Sequence, residues 1–202
     1  MKLSKSLGAA AFALAALSAQ AQSTNLILNG SFESNSGSNP TSWLTGTGAV
    51  DQHTNVTPLQ DGKRYIDLDT GTKNKGYTNN SISQSFTGSG LVTLSFWYAP
   101  NSSSTGTTNQ VNFALDSFLT GSVLGGSSNS TGWQNYTAQV DLGAFGTKTL
   151  SFTAAGASDG IGGYIDNVSV TAVPEPESYA MLLAGLGLMG TIALRRNKNR
   201  KG

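Results

Sequence analysis

Asp166 is the residue of this 202-residue chain whose setting most demands a partner. Around it, Tyr164, Val168 and Val170 recur at even spacing, and alternation at period two sends Asp166 to the same inward face. A carboxylate there must be hydrogen-bonded, ion-paired or bound to a cation; the plainer alternative is an Asp capping backbone amides beside a turn. Trp97 comes next. In the run from Val92 to Tyr98, Val92, Leu94, Phe96 and Tyr98 share one face, which leaves Thr93, Ser95 and Trp97 on the other. An indole among small polar side chains can stack on a sugar ring, or it can lie covered by a loop. Tyr65, Tyr77 and Tyr136 are the tyrosines available to extend such a groove.

Catalysis finds little support. His53 is the only histidine, so a Ser-His-Asp arrangement would have to use it, and no Gly-x-Ser-x-Gly elbow surrounds any serine. Asp67 and Asp69 share a strand face at i, i+2 and could serve a glycosidase as a carboxylate pair, but a solvated edge explains them as well. The chain has no cysteine, which excludes disulfides and thiolate metal sites. A non-enzymatic protein is expected.

The elements that hold these residues lie between two transport segments. Residues 1–21 carry Lys2 and Lys5, an apolar stretch from Leu7 to Leu17 and the small-residue ending Ala19-Gln20-Ala21, the pattern of a secretory signal peptide. Residues 173–202 hold Val173-Pro-Glu-Pro-Glu177, an apolar run from Tyr179 to Leu194 and five cations from Arg195 to Lys201. The run is 16 residues, about 24 Å as a helix, somewhat short of the roughly 20 a stable span needs. Its leucines, methionines and isoleucine lie all around the helical wheel, so the expected helix over 179–194 belongs in lipid, with the basic end on the cytoplasmic side.

The domain expected over 22–172 has five Lys and Arg against nine Asp and Glu, net −4, and nucleic-acid binding has no electrostatic support. Its apolar residues alternate in short runs between Gly, Ser, Asn and Thr: Leu26 to Phe32, Ile66 with Leu68, Ile82 with Phe86, Val92 to Tyr98, Val111 to Leu115, Gln134 to Val140, Leu150 with Phe152, and Tyr164 to Thr171. No helical period precedes Tyr179. Eight or so strands without helices predict an all-β fold, an antiparallel β-sandwich of jelly-roll type. Ser34 to Pro40, Lys73 to Ser81, Asn101 to Asn109 and Gly125 to Gly132 read as the polar joints.

The tail resembles the PEP-CTERM sorting signal of Gram-negative bacteria that make extracellular polysaccharide. That resemblance implies recognition at Pro174, Glu175 and Pro176, a stop signal at Arg195 and Arg196, and processing by an exosortase-type enzyme of the inner membrane. Two prolines also keep this segment extended and out of any helix or sheet.

A second resemblance covers most of residues 25–171. Asn25 to Glu33, Trp43, Tyr65 to Asp69, Ile82 to Phe86, Leu94 to Ala99, Gly132 to Thr137, Leu150 to Phe152 and Ile165 to Val170 look like the galactose-binding-like jelly roll, and more closely like choice-of-anchor surface domains. The likeness implies packing roles for Trp43 and Trp133. It also implies a structural calcium held by Glu33 and Asp166, with backbone carbonyls completing the oxygen shell; the alternative leaves Glu33 solvated. Together these readings describe an exported sandwich, anchored transiently in the inner membrane and then delivered to the cell surface or extracellular matrix. There it contacts glycan through the face around Trp97, Tyr65 and Tyr136, or else serves as a structural or adhesion protein without a sugar site.

Overall fold

The computed structural model describes residues 24–46, 51–53, 60–72, 76–101, 108–124, 132–160, 162–174 and 182–192. The segment expected to be a signal peptide, together with Glu175, Pro176, Arg195 and Arg196, lies outside the described residues.

Fourteen strands, numbered in chain order, run through the described residues. They are β1 (Asn35–Ser36), β2 (Asn39–Pro40), β3 (Leu44–Thr45), β4 (Asp51–His53), β5 (Tyr65–Asp67), β6 (Asp69–Thr72) and β7 (Gly76–Asn79). The longer ones follow as β8 (Ser81–Gly88), β9 (Leu91–Pro100), β10 (Gln110–Leu115), β11 (Leu119–Val123), β12 (Gln134–Asp141), β13 (Gly146–Ala155) and β14 (Gly163–Ala172). A first sheet has the order β12-β9-β14-β5-β4 and a second the order β11-β10-β13-β8-β3, with every pairing antiparallel. β1 with β2, and β6 with β7, form separate hairpins. This is the expected antiparallel β-sandwich.

Alternation sets the core. Val92, Leu94, Phe96 and Tyr98 of β9 are buried, as are Val111, Phe113 and Leu115 of β10, Leu150 and Phe152 of β13, and Ile82 and Phe86 of β8. Phe96 stands edge-on to Phe113 and to Phe152, with centroids 5.2 and 5.0 Å away. Trp43 closes one side against Phe32 at 5.4 Å and Phe152 at 6.3 Å, the packing role its motif implied.

Three expectations give way. Leu26 to Phe32 is not a strand: apart from a single bridge between Asn25 and Thr171, it is a turn with Asn29 and Phe32 at positive φ. The Asn29 side chain builds that turn by donating to the Ser34 and Thr41 carbonyls and accepting from the Ser34 amide. Gly30 then lies so close to β14 that a Cβ would overlap the Val168 carbonyl, while the Val168 amide donates to the Gly30 carbonyl at 2.9 Å. The second difference is a β-bulge in β14. Asp166 pairs with Trp97 and Ser169 with Ser95, so one extra residue is inserted, and Asn167 takes φ 47°. Parity therefore flips: Val168 and Val170 face the core, as does Ile165 before the bulge, whereas Tyr164 and Asp166 lie on the outer face of the first sheet. Third, Asp67 and Asp69 are buried, not a solvated edge. The joints expected over 34–40 and 73–81 also contain β1, β2 and β7.

The apolar run contributes one described helix, residues 182–192, with every side chain exposed. Among the described residues no helix is long and apolar enough to cross a membrane.

Candidate functional site

The bulge brings Trp97 and Asp166 together as cross-strand partners on the outer face of the first sheet, with Asn135 of β12 on Trp97's other flank. Trp97 is half-buried. One residue pair further along, Tyr164 and Tyr65 join Ala99 and Trp133 in a small apolar cluster. The Tyr65 ring lies 4.7 Å from Tyr164 and 5.6 Å from Trp133. Tyr65 is only 1% exposed, so this part of the face is a second core and not an open platform. Desolvation, with Asp67 adding, pushes the Tyr65 hydroxyl up to about 12, and the same causes raise Tyr164; both stay protonated.

Tyr136 sits elsewhere. It pairs with Phe96 on the inward side of β12, stacked at 4.9 Å and 4.6 Å from Phe113. There it lines a hollow of about 210 Å³ with Tyr98, Val123, Leu124, Gln134 and Asn135. The three aromatics that sequence nominated for one groove therefore do not assemble.

Carboxylates gather around residues 61–69. Asp69 Oδ2 accepts from the Asp159 and Gly160 amides, both at 2.9 Å, and Asp67 Oδ1 from the Asp69 amide at 2.9 Å, so this pair pins the turn between β13 and β14. Glu33 Oε1 accepts from the Lys63 and Arg64 amides at 2.6 and 2.7 Å. Asp166 is 0% exposed and accepts from the Asn167 amide at 2.7 Å and the Asp61 amide at 3.2 Å. Burial pushes its carboxyl from 3.8 up to about 7; the two amides oppose that, and the charges of Asp61 and Glu33 add to it. Glu33 and Asp166 thus both accept from amides of the 61–64 segment, the amide-capping role that was the plainer alternative for Asp166. Among the described residues no group of three or more His, Asp or Glu side chains is arranged to hold a metal.

The outer face of the second sheet carries a site the sequence reading passed over. Ser81, Thr153, Asn112 and Ser122 stand in one cross-strand row over β8, β13, β10 and β11, and Ser83, Ser151, Ala114 and Thr120 in the next. Ser85 and Thr149 continue the array with their hydroxyls 3.1 Å apart. Neighbours within a row lie about 4.8 Å apart from strand to strand, and none of these side chains is charged. Six of them, with Phe113 and Gly121 beneath, line an open hollow of about 440 Å³. Exposed Leu44, the partner of Ser83 on edge strand β3, borders the array. The signal was present as hydroxyls at every second position in Ser81 to Thr87 and Thr147 to Thr153, the polar half of the alternation that located the core.

The PEP-CTERM protein-sorting motif matches residues 172–197. No curated protein matches the chain. Among solved structures, the carbohydrate-binding module TmCBM61, in complex with β-1,4-galactotriose, is similar with a TM-score of 0.54 and 18% identity, over 73% of this chain and 98% of that one. The K3 cleaved adhesin domain of Lys-gingipain from Porphyromonas gingivalis w83 is similar with a TM-score of 0.52 and 17% identity, over 75% of this chain and 99% of that one. The tail thus carries a PEP-CTERM sorting signal, an address for export and membrane anchoring, behind a β-sandwich that shares the jelly-roll fold of carbohydrate-binding modules.

Proposed function

We propose that this is an exported, non-catalytic glycan-binding protein that holds a neutral polysaccharide on the outer face of its second sheet. The observation that carries the reading is the uncharged array of hydroxyl and amide side chains around the 440 Å³ hollow, with Asn112 and Thr153 side by side in it. Hydroxyls and amides both donate and accept, as sugar hydroxyls do, and the absence of charge disfavours acidic polymers. The half-buried Trp97 face is the competing surface. A leader over residues 1–21 and an exosortase-type enzyme of a Gram-negative inner membrane would deliver the sandwich to the cell surface or matrix.

Binding of β-1,4-galactotriose and other neutral oligosaccharides by wild type, Asn112→Ala/Thr153→Ala and Trp97→Ala tests this. Loss in the double variant alone supports the second-sheet face; loss in Trp97→Ala alone moves the site to the first. A second reading, adhesion to other proteins, has one specific support in the comparable likeness to the adhesin domain. Absence of sugar-dependent binding by wild type favours it. Release of reducing ends from polysaccharide by the purified protein would contradict the non-catalytic reading.

The same proposal includes a structural calcium at Glu33 and Asp166, supported by the buried Asp166 carboxyl with two negative neighbours. Calcium there would neutralise that charge and tie the turn at residues 29–33 to β14. A chelator should lower the melting temperature of wild type and leave Asp166→Asn unmoved; an unchanged wild-type melt removes the metal.

A further inference from the structure

The sandwich has two ends, and the tail leaves from one of them. At that end lie the turns joining β8 to β9, β10 to β11 and β12 to β13, together with the last residues of β14. Gly90 and Leu142 tie two of these turns together through Gly90 N to Gly143 O at 3.0 Å and Leu142 N to Gly90 O at 2.9 Å. The Val173 amide donates to the Leu91 carbonyl at 2.9 Å, which keeps the chain on the sheet up to the residue before Pro174.

Large apolar side chains stand out from these same turns. Phe145 is 78% exposed, and Phe118 and Leu91 are about two-fifths exposed (41% and 40%). Lys148, three residues after Phe145, reaches across to the other phenylalanine turn: its ammonium lies 4.7 Å from the centre of the Phe118 ring. The tips are held in place by their own hydrogen bonds, Gly143 N to Asp141 Oδ1 at 2.8 Å and Thr149 N to Asp116 Oδ1 at 3.2 Å. Those bonds also occupy the two acids of this end.

Singly exposed phenylalanines are ordinary. Two of them, one beneath a lysine ammonium, at the end from which an apolar helix departs, form an array matched to one partner. Eight residues, 174–181, separate Val173 from the helix and reach at most about 28 Å. The helix exposes Leu182, Leu183, Leu186, Leu188, Met189 and Ile192, and it belongs to a membrane-anchoring motif. Phenylalanine and leucine side chains on a surface bury at the boundary between lipid headgroups and acyl chains, and lysine extends its ammonium to the phosphates.

We propose that the Phe118, Phe145 and Lys148 end of the sandwich seats on the lipid surface while the tail is anchored, which directs the opposite end, with the turn at residues 156–160, away from the bilayer. One lysine against Asp116 and Asp141 gives no net positive charge, so the contact rests on apolar insertion and persists at high salt. The inference rests on anchoring by the tail and is independent of glycan binding.

The chain has no cysteine, so single-cysteine variants take a unique label. Full-length Ala144→Cys and Ala157→Cys, each carrying an environment-sensitive fluorophore, are reconstituted into phosphatidylethanolamine/phosphatidylglycerol vesicles containing a headgroup-level nitroxide lipid. The expected result is quenching at position 144 and none at 157, lost with Phe118→Ser/Phe145→Ser and retained with Phe118→Leu/Phe145→Leu, with co-flotation unchanged. Equal quenching at both positions, or none at 144 in protein that floats with the vesicles, overturns the proposal and leaves the tail reading standing. Failure of the full chain to float overturns both.

Discussion

Asp166 shows how a correct demand can follow from a wrong direction. Even spacing assigned it to the interior, and it is buried, but on the opposite face, because the extra residue at Asn167 resets the alternation. A positive φ at Asn is cheap and leaves no mark in an apolar pattern, so the bulge could not be read in advance. Its consequence is a pH dependence of definite sign. The folded carboxyl at about 7 lies above its ordinary 3.8, so in the metal-free protein the folded chain holds the extra proton between those values. In chelator, the contribution of Asp166 to stability is greatest below about pH 4, falls as pH rises towards 7 and then levels. Asp166→Asn should flatten that slope in thermal melts; an equal slope in both proteins would contradict the assignment. Asn167 gives a second check: Asn167→Val forces a β-branched residue into positive φ and should cost about 1–3 kcal/mol in urea unfolding, with Asn167→Gly nearly neutral.

At the level of elements, strands with one face on the core were legible and the chain between them was less so. β9 and β10 declare themselves because every second residue is apolar along their length, and β8, β12, β13 and β14 carry the same alternation over part of theirs. β3, β4, β6 and β7 are two to four residues long, too short for a period to emerge. Leu26 to Phe32 misled because Leu26, Leu28 and Phe32 mimic alternation; the Asn29-Gly30 dipeptide in its middle was the turn signal that outranked them. Gly30→Ala should destabilise the sandwich by about 1–3 kcal/mol, since the added methyl meets the Val168 carbonyl of β14. Equilibrium unfolding measures this, and an unchanged midpoint would show that the turn does not dock as described. Asp69→Ala should release the turn at 158–160, read as faster exchange of the Asp159 and Gly160 amides with the exchange of β13 unaltered.

For the molecule as a whole, the two sheets divide their outer surfaces by character. The first sheet covers part of its outer face with a second aromatic cluster and buried acids; the second leaves an uncharged hydroxyl face open. The sequence disclosed the sandwich and the sorting tail, because each has a pattern of its own. It did not disclose the hydroxyl face, because Ser and Thr are abundant throughout and their placement in rows depends on strand register. Glycan binding on that face is the central claim, and calorimetric titration of neutral oligosaccharides into the purified protein tests it most directly. Binding that survives Trp97→Ala and weakens about tenfold or more in Asn112→Ala/Thr153→Ala, the loss of two hydrogen-bonding side chains, is the expected result. Binding that is unchanged in the double variant, or absent from wild type across the panel, would contradict it.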